Sequence, residues 1–469
     1  MKVLESDKFD IEPIDVFETL FKNRPYPFLL ESGIRHSDYG RYSIMGSDPF
    51  LIFKSKGKQI EIIENGKTRH IEGNPFNELK NLLRRLKPAP TAQCTAHDAQ
   101  MPFTGGAVGY FAYDLGAHIE KLPNFAEDDI NLPDCFLCFY HNTLIFDHLK
   151  HKIFILGHNT NDLVISLKNI QNTVKLEIKS QFHTKRILKS GRLESNFTHF
   201  RYLNAIKRAK HYISIGDIYQ VNLSQRFMTQ IETPPFDIYK KLHIINPAPF
   251  AGFLDYGDFA IVSSSPERFL RIQDEVVQTR PVKGTRPRGK TPAQDRKLAR
   301  ELLKSEKDRA ELVMIVDLER NDLGRVCEYR TVRVKELIAL EKYPTVFHTV
   351  ATVEGKLYEE KDAIDLLKAT FPGGSITGAP KIRAMEIIEE LEPTKRSVYT
   401  GAIGYLSFNG NMDLNIVIRT FIIKGNKAYF QVGGGIVADS DPEAEYQETL
   451  DKARALIETL GVRPQQATT

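Results

Sequence analysis

Short runs rich in β-branched and aromatic residues, bounded by Gly, Asn and Asp, recur through residues 1–180: RYSIMGS, LIFKS, QIEII, AVGYFAY and KIFILGH. Such bounded runs predict strands, and antiparallel sheet is the expected arrangement. Residues 181–198 (QFHTKRILKSGRLESNFT) are polar and weakly periodic and are expected to form a linker. YLNAIKRAKHYISIGDI then places its apolar residues at helical spacing and predicts an amphipathic helix. Further strands are expected around residues 250–284. Thr291-Pro292-Ala293-Gln294 supplies an N-cap, a first-turn proline and a capping-box partner, so a helix should begin there. A second is expected from Ser305. A last one opens at Asp441-Pro442, with Tyr446, Leu450, Ala453, Ile457 and Leu460 as one apolar stripe before Gly461. No internal repeat is found.

A chain of 469 residues, 41% hydrophobic and 26% charged, can bury a large core. Its 64 basic and 60 acidic residues are interspersed, so no nucleic-acid partner is expected. The N-terminus MKVLESDKFDIEPIDVF carries acids and lacks an apolar leader, and nothing approaches eighteen consecutive apolar residues. A cytoplasmic protein without a membrane anchor is expected. The four cysteines suit a reducing compartment. Cys135 and Cys138 form a C-x-x-C pair, but CFLCFYHNTLIFDH reads as strand, where positions three apart face opposite ways. Two strand residues are the expectation.

Two carboxylate pairs stand out. Asp308 and Glu311 share one face of the helix from Ser305, and Glu445 and Glu448 share one face of the last helix. Converging, they would offer the all-oxygen shell that magnesium prefers; apart, they are solvated surface charge. Gly433, Gly434 and Gly435 in QVGGGIVADSDPE allow backbone N–H groups to approach an anion, or simply end a strand. Residues 284–291 (GTRPRGKT) match the P-loop pattern, with LVMIVD as a candidate magnesium strand. A proline and two arginines sit where backbone should wrap phosphate, and LVMIVD falls inside a predicted helix, so the match is read as chance.

SSSPERFL, TRPVKGTRPRGK, KDRAELVMIVDLERNDLGRV, FPGGSITGAPKIRAMEIIEELEP, YTGAIGY, LNIVIRT and QVGGGIVADSDPEAEYQET together resemble the chorismate-utilising enzymes across residues 200–460. LLESG, GRYSIMG and GGAVGYFAYD extend a looser resemblance to the aminating members into the N-terminal third. The resemblance implies an α+β fold of two large, mainly antiparallel sheets packed in the core with helices outside. Its N-terminal region (1–180) and catalytic region (195–460) would interlock as one unit.

The resemblance also implies roles. Magnesium would be held by Glu311 and Glu448, with Asp308 and Glu445 as second carboxylates, and would meet the ring carboxylate of chorismate. The enolpyruvyl carboxylate would meet Arg419, Tyr399 and the backbone at Gly434 and Gly435, with Thr377 and Gly378 also lining the substrate. A guanidinium in the apolar strand LNIVIRTFII would be costly unless paired with an anion. Glu267 matches the general acid for the departing C4 hydroxyl, which needs a pKa raised by burial. His348 matches a histidine near that hydroxyl, in polar contact or proton transfer.

Members differ in the nucleophile. Water-using ones carry a lysine base where this chain has Gln220, which cannot deprotonate water. Lys283 stands where aminodeoxychorismate-forming members read P-I-K-G-T and anthranilate-forming ones P-I-A-G-T. It favours a covalent adduct at C2, displaced by ammonia at C4, to give 4-amino-4-deoxychorismate for p-aminobenzoate and folate. Anthranilate synthase component I is the alternative, and a noncatalytic chorismate- or tryptophan-binding subunit a further one. Without a G-x-C-x-G segment, ammonia is expected from a separate glutaminase, a class I glutamine amidotransferase. Glu31, Ser32, Pro247 and Phe250, in LLESG and NPAPF, resemble walls of the family's tryptophan pocket.

Overall fold

The computed structural model describes residues 2–5, 11–34, 36, 39–87, 101–157, 165–167, 191–343 and 346–462. Among these, two antiparallel sheets of twelve strands each form the centre of the molecule, with helices outside, as expected. The first sheet runs from Lys2–Glu5 through Phe28–Glu31, Phe250–Asp255 and Phe259–Ser265 to Thr420–Lys424, Lys427–Ile436 and Gln220–Gln230. The second runs from Val282–Pro287 through Val346–Lys356, Val276–Arg280, Arg268–Gln273, Met412–Ile416 and Ala402–Ser407 to Gly106–Phe111, Cys135–Tyr140 and Lys67–Glu72. Each sheet takes strands from both sides of residues 181–190.

The layering follows from the period-two alternation of strands. Phe28, Ile44 and Ile145 join Ile52, Val108, Phe136 and Tyr140 in a core between the sheets. Their neighbours Leu29, Met45, Leu144 and Phe146 turn outward to the helices Pro13–Leu20, Pro235–Ile245 and Pro442–Leu460. Leu51, Phe53 and Ala107 turn to the helices on the other side. Strands buried on both faces have no polar stripe, so they read as continuous apolar runs.

Helix starts agree with the caps. Thr291 accepts from the Gln294 N–H and Ser305 from that of Asp308, both at 3.3 Å, while Asp441 accepts from Ala444 at 2.9 Å. The Gln294 side chain serves the Lys290 N–H and not that of the cap residue. Gly461 ends the last helix at φ +70°. In its stripe Ala453, Ile457 and Leu460 are buried, whereas Tyr446 packs on the rings of His199 and Tyr202.

The N-terminal region is strand-rich and antiparallel as expected, and it also holds the helices Pro13–Leu20 and Pro75–Leu86. Two expectations change. Residues 181–190 of the expected linker lie outside the described residues, but Glu194–Ser195 pairs with Met228 and Phe227, and Thr198 caps the helix His199–Ser214. LNIVIRTFII is not one strand: Met412–Ile416 belongs to the second sheet and Thr420–Lys424 to the first, with Arg419 between them at φ +54°. An apolar run buried throughout does not reveal where it changes sheet. The segment 284–291 is strand followed by an Arg288–Asp295 clamp, and LVMIVD is helical, so this segment is not a phosphate loop. Cys135 and Cys138 lie buried in one strand as free thiols.

Candidate active site

Two neighbouring segments cross from sheet to sheet. Ser265-Pro266-Glu267 leaves the first sheet for the second, and residues 417–419 return. They are tied together: the Ser264 N–H donates to the Arg419 carbonyl at 3.1 Å, and the Ile416 N–H to that of Glu267 at 3.0 Å. The Ser265 hydroxyl also donates to the Ile416 carbonyl at 2.6 Å. Glu267 and Arg419 are therefore fixed by one doubled crossing.

Glu267 is 5% exposed, and its Oε1 accepts from the Ser375 hydroxyl at 2.6 Å and the Val282 N–H at 3.4 Å. Burial raises its pKa against the opposing pull of the Ser375 hydrogen bond and Lys283, as a general acid requires. Lys283, on the strand Val282–Pro287, donates from Nζ to the Ser375 carbonyl at 3.3 Å. Part of its surface remains accessible, yet the surrounding protein desolvates the amine and lowers its pKa, with Glu311 and Glu267 opposing. His348 is buried, with Nδ1 2.9 Å from the Thr285 hydroxyl. Burial, helped by the Arg419 charge, pushes its pKa down to about 4, so the ring is neutral at neutral pH.

Arg419 donates to the Lys452 carbonyl at 2.8 Å, and its charge is felt by Tyr399, itself buried, and by His348. Gly434 and Gly435 lie on Lys427–Ile436 beside Gln220–Gln230. A Cβ on Gly435 would stand 2.7 Å from Gln220 Nε2, and one on Gly378, at φ +148°, 2.2 Å from the Gln220 carbonyl. These glycines permit close backbone approach around Gln220. Among the described residues the buried Gln220 amide has no hydrogen-bond partner at either terminal atom. Thr377 is buried, hydrogen-bonding the Gly373 carbonyl at 2.9 Å, while its own carbonyl receives the Asn222 N–H.

The carboxylates come from the helices Glu306–Gly324 and Pro442–Leu460. A Cβ on Gly434 would lie 3.3 Å from Glu445 Oε2 and 3.7 Å from Glu448 Oε1, which places that pair at the glycine strand. Burial raises the pKa of Glu311, with Asp308 and Glu448 adding to the shift, and burial likewise raises that of Glu445, with Glu448 adding. Burial also opposes ionisation of Glu448, but Lys452 at 2.7 Å outweighs it and the pKa falls. Arg286 pairs with Asp308 at 3.1 Å, and Lys307 stands 4.0 Å from Glu311. Among the described residues no three His, Cys, Asp or Glu side chains are gathered closely enough to hold a metal ion. The donor set nonetheless fits magnesium chemically: all four groups offer oxygen only, and the Glu448 charge adds to the raised pKa of Glu311 on the other helix.

Residues 47–458 match the chorismate binding enzyme family. The chain belongs to that family. Chorismate is accordingly the substrate around which this chorismate binding enzyme is built. It is 44% identical to anthranilate synthase component 1 of Acetivibrio thermocellus, over 96% of this chain and 92% of the relative. It is 42% identical to aminodeoxychorismate synthase component 1 of Escherichia coli (strain K12), over 93% of each. Anthranilate synthase component I from Streptococcus pneumoniae TIGR4 has a similar structure, with TM-score 0.76 and 33% identity over 97% of this chain and all of that one. Identity at this level does not separate the two names, so the choice rests on the site.

The chorismate binding enzyme also has a cavity of about 640 Å³ between its sheets, lined by Glu31 and Phe250 with Tyr39, Arg41, Arg268 and Tyr405. Lys283, Glu267 and the four carboxylates are not among its lining residues. The LLESG and NPAPF segments meet beside it: the Gly33 N–H donates to the Ala248 carbonyl at 2.9 Å, and a Cβ on Gly33 would lie 3.2 Å from Pro247 Cα. Ser32 and Pro247 do not line the cavity; the Ser32 hydroxyl turns to the Ile34 carbonyl. Glu31 accepts from the Tyr239 hydroxyl at 2.8 Å, and burial pushes its pKa up to about 8.

Three site residues were missed in the sequence. Ser375 holds both Glu267 and Lys283, Thr285 faces His348, and Lys452 pairs with Glu448 while donating to the Gly433 carbonyl at 2.9 Å. Only Lys452 left a signal, four residues after Glu448 in the favoured Glu-before-Lys order.

Proposed function

We propose that this chain aminates chorismate at C4 in the cytoplasm to give 4-amino-4-deoxychorismate, the precursor of p-aminobenzoate. The observation that carries this reading is a desolvated lysine amine and a buried carboxyl held by one serine. The neutral Lys283 amine forms a bond to C2 while the C4–O bond breaks and Glu267 gives its proton to the departing hydroxyl, which leaves as water. Ammonia then forms the C4–N bond, and the C2–N bond breaks, returning Lys283 as a neutral amine. Arg419 supplies a guanidinium for the enolpyruvyl carboxylate, with Tyr399 and the N–H groups around Gly434 and Gly435. Thr377 and Gly378 shape the adjoining wall, and neutral His348 holds the C4 hydroxyl. Gln220 offers an amide without a proton-abstracting group, which suits ammonia over water.

Glu311 and Glu448 would hold magnesium, with Asp308 and Glu445 behind them. Bound there, the metal supplies charge for the ring carboxylate. Ammonia would come from a separate class I glutamine amidotransferase, consistent with the "component 1" in the relatives' names. The cavity at Glu31 and Phe250 is the proposed place for tryptophan.

Incubation of the purified chain with chorismate, magnesium and excess ammonium at alkaline pH tests the reading. Aminodeoxychorismate is expected. Anthranilate, the product named in the 44% identical relative, would instead place the attack of ammonia itself at C2. Unreacted chorismate would point to a noncatalytic subunit.

A further inference from the structure

One buried ion pair joins four segments that carry the substrate side of the site. Arg396 forks onto Glu392, with Nε 2.9 Å from Oε2 and Nη2 2.7 Å from Oε1, and both side chains are buried. Arg396 Nη2 also donates to the Asn222 carbonyl at 2.7 Å, and Nη1 to the Ile376 carbonyl at 3.0 Å and the Thr400 hydroxyl at 3.3 Å. Every N–H of the guanidinium is thereby used, which leaves Arg396 no donor for a ligand. Glu392 Oε1 accepts in addition from the Ser224 N–H at 2.9 Å and hydroxyl at 2.7 Å.

The oxygens that Arg396 reaches stand beside site residues. Asn222 is two positions from Gln220, on the same face of its strand. Ile376 precedes Thr377, whose carbonyl receives the Asn222 N–H at 2.7 Å. Thr400 follows Tyr399 and donates its hydroxyl to the Tyr399 carbonyl at 2.6 Å. The Thr400 N–H donates to the Val417 carbonyl at 2.7 Å, two residues before Arg419. The guanidinium also lies against the rings of Tyr113 and Tyr399, 4.8 and 5.8 Å from their centroids. Ser397, Thr400 and Arg419 hold φ of +52°, +58° and +54°, a region that residues with side chains leave unless their surroundings fix them. An apolar pair could fill the space of Arg396 and Glu392 without the cost of burying charge. It would leave these carbonyls unpaired and the loop unheld.

We propose that Arg396, braced by Glu392, is the positioning residue for the enolpyruvyl end of the substrate, a role that rests on that carboxylate binding at Arg419 and Tyr399. It holds Thr377 through Ile376, Tyr399 through Thr400, and Arg419 through Thr400 and Val417. Arg396 acts through these residues and does not touch substrate.

The test is steady-state kinetics of the full chain, following chorismate consumption with ammonium and magnesium. Arg396→Lys keeps the charge and loses the fork. Thr400→Val keeps Arg396 and the shape of the loop, and removes one link to Tyr399. Chorismate KM is expected to rise at least about tenfold in Arg396→Lys and about fivefold in Thr400→Val. The kcat of both should stay within about twofold of the parent, because the enolpyruvyl carboxylate is held alike in ground and transition states. A merely structural pair would lower the folded fraction, and with it kcat, at unchanged KM. Thr400→Val decides alone if Arg396→Lys does not fold. A Thr400→Val KM within about twofold of the parent, or a loss of kcat larger than the rise in KM, overturns the proposal. Arg419→Gln separates the two readings. A parental KM there removes the carboxylate assignment itself, whereas a raised KM there beside an unchanged KM in Arg396→Lys and Thr400→Val removes only the positioning role.

Discussion

Glu267 and Lys283 are bound to opposite ends of Ser375, the carboxyl receiving its hydroxyl at 2.6 Å and the amine giving to its carbonyl at 3.3 Å. The acid and the nucleophile of the proposed reaction therefore share one support, and their charges oppose each other's pKa shift. Lys283→Ala is expected to remove C4 amination and any covalent chorismate adduct. Intact-mass measurement of enzyme quenched after mixing with chorismate and magnesium, with ammonia left out, checks it: an adduct on the parent and none on the variant.

Glu267→Gln should lower kcat by about 10²–10⁴-fold, the range for losing a positioned general acid. The acid must be protonated, and its folded pKa is raised by burial. Activity should therefore hold on the acid side of that pKa and fall as pH rises through it. A pH profile of kcat with glutamine-derived ammonia reads this limb. A limb unchanged in Ser375→Ala would deny the serine its part in setting it.

The carboxylate pairs predict a magnesium requirement. Glu311→Ala should abolish turnover at ordinary magnesium concentrations. Glu445→Gln should raise the concentration needed by about 10–100-fold, as expected of a supporting ligand. Magnesium titration of activity and calorimetry with magnesium alone both check it. Unchanged binding in both variants would send the metal elsewhere.

His348 carries a stability prediction. Its folded pKa of about 4 lies below the unfolded value of about 6.5, so the unfolded chain binds more protons between the two. Stability is fully present above pH 6.5 and lost as pH falls toward 4, by roughly 3 kcal/mol. His348→Gln, tested by denaturant unfolding at pH 7 and pH 4.5, should flatten that fall.

Much of this architecture was readable where chemistry is local. Thr291, Ser305 and Asp441 announce helices because each offers an oxygen to an otherwise unpaired N–H, and the structure shows all three bonds. Asp308, Glu311, Glu445 and Glu448 were visible as helical pairs. Their present partners Arg286 and Lys452 were not equally visible: Lys452 is one turn from Glu448, but Arg286 reaches Asp308 across 22 residues. The change of sheet at Arg419 escaped because residues 416–418 before it and 421–423 after it are all apolar, so the run shows no break at the crossing. Ser375 escaped for another reason: nothing local distinguishes a serine after two glycines from an ordinary turn. Its function depends on residues 108 and 92 positions away.

Glu31 sits beside the inter-sheet cavity with its carboxyl held by Tyr239 and with His243 Nδ1 3.6 Å away. Burial lifts its folded pKa to about 8, while an unfolded glutamate ionises near 4.5. Between these values the unfolded chain has released its proton and the folded chain has not. Stability is therefore highest below pH 4.5 for this group and declines as pH rises toward 8. Glu31→Gln preserves an acceptor for the Tyr239 hydroxyl and cannot ionise. It should therefore raise stability at pH 7 by up to roughly 3 kcal/mol and remove this part of the decline. Denaturant unfolding at pH 5 and pH 8 measures the difference. A variant less stable than the parent at pH 8 would show that the carboxyl is ionised there and satisfied by its neighbours.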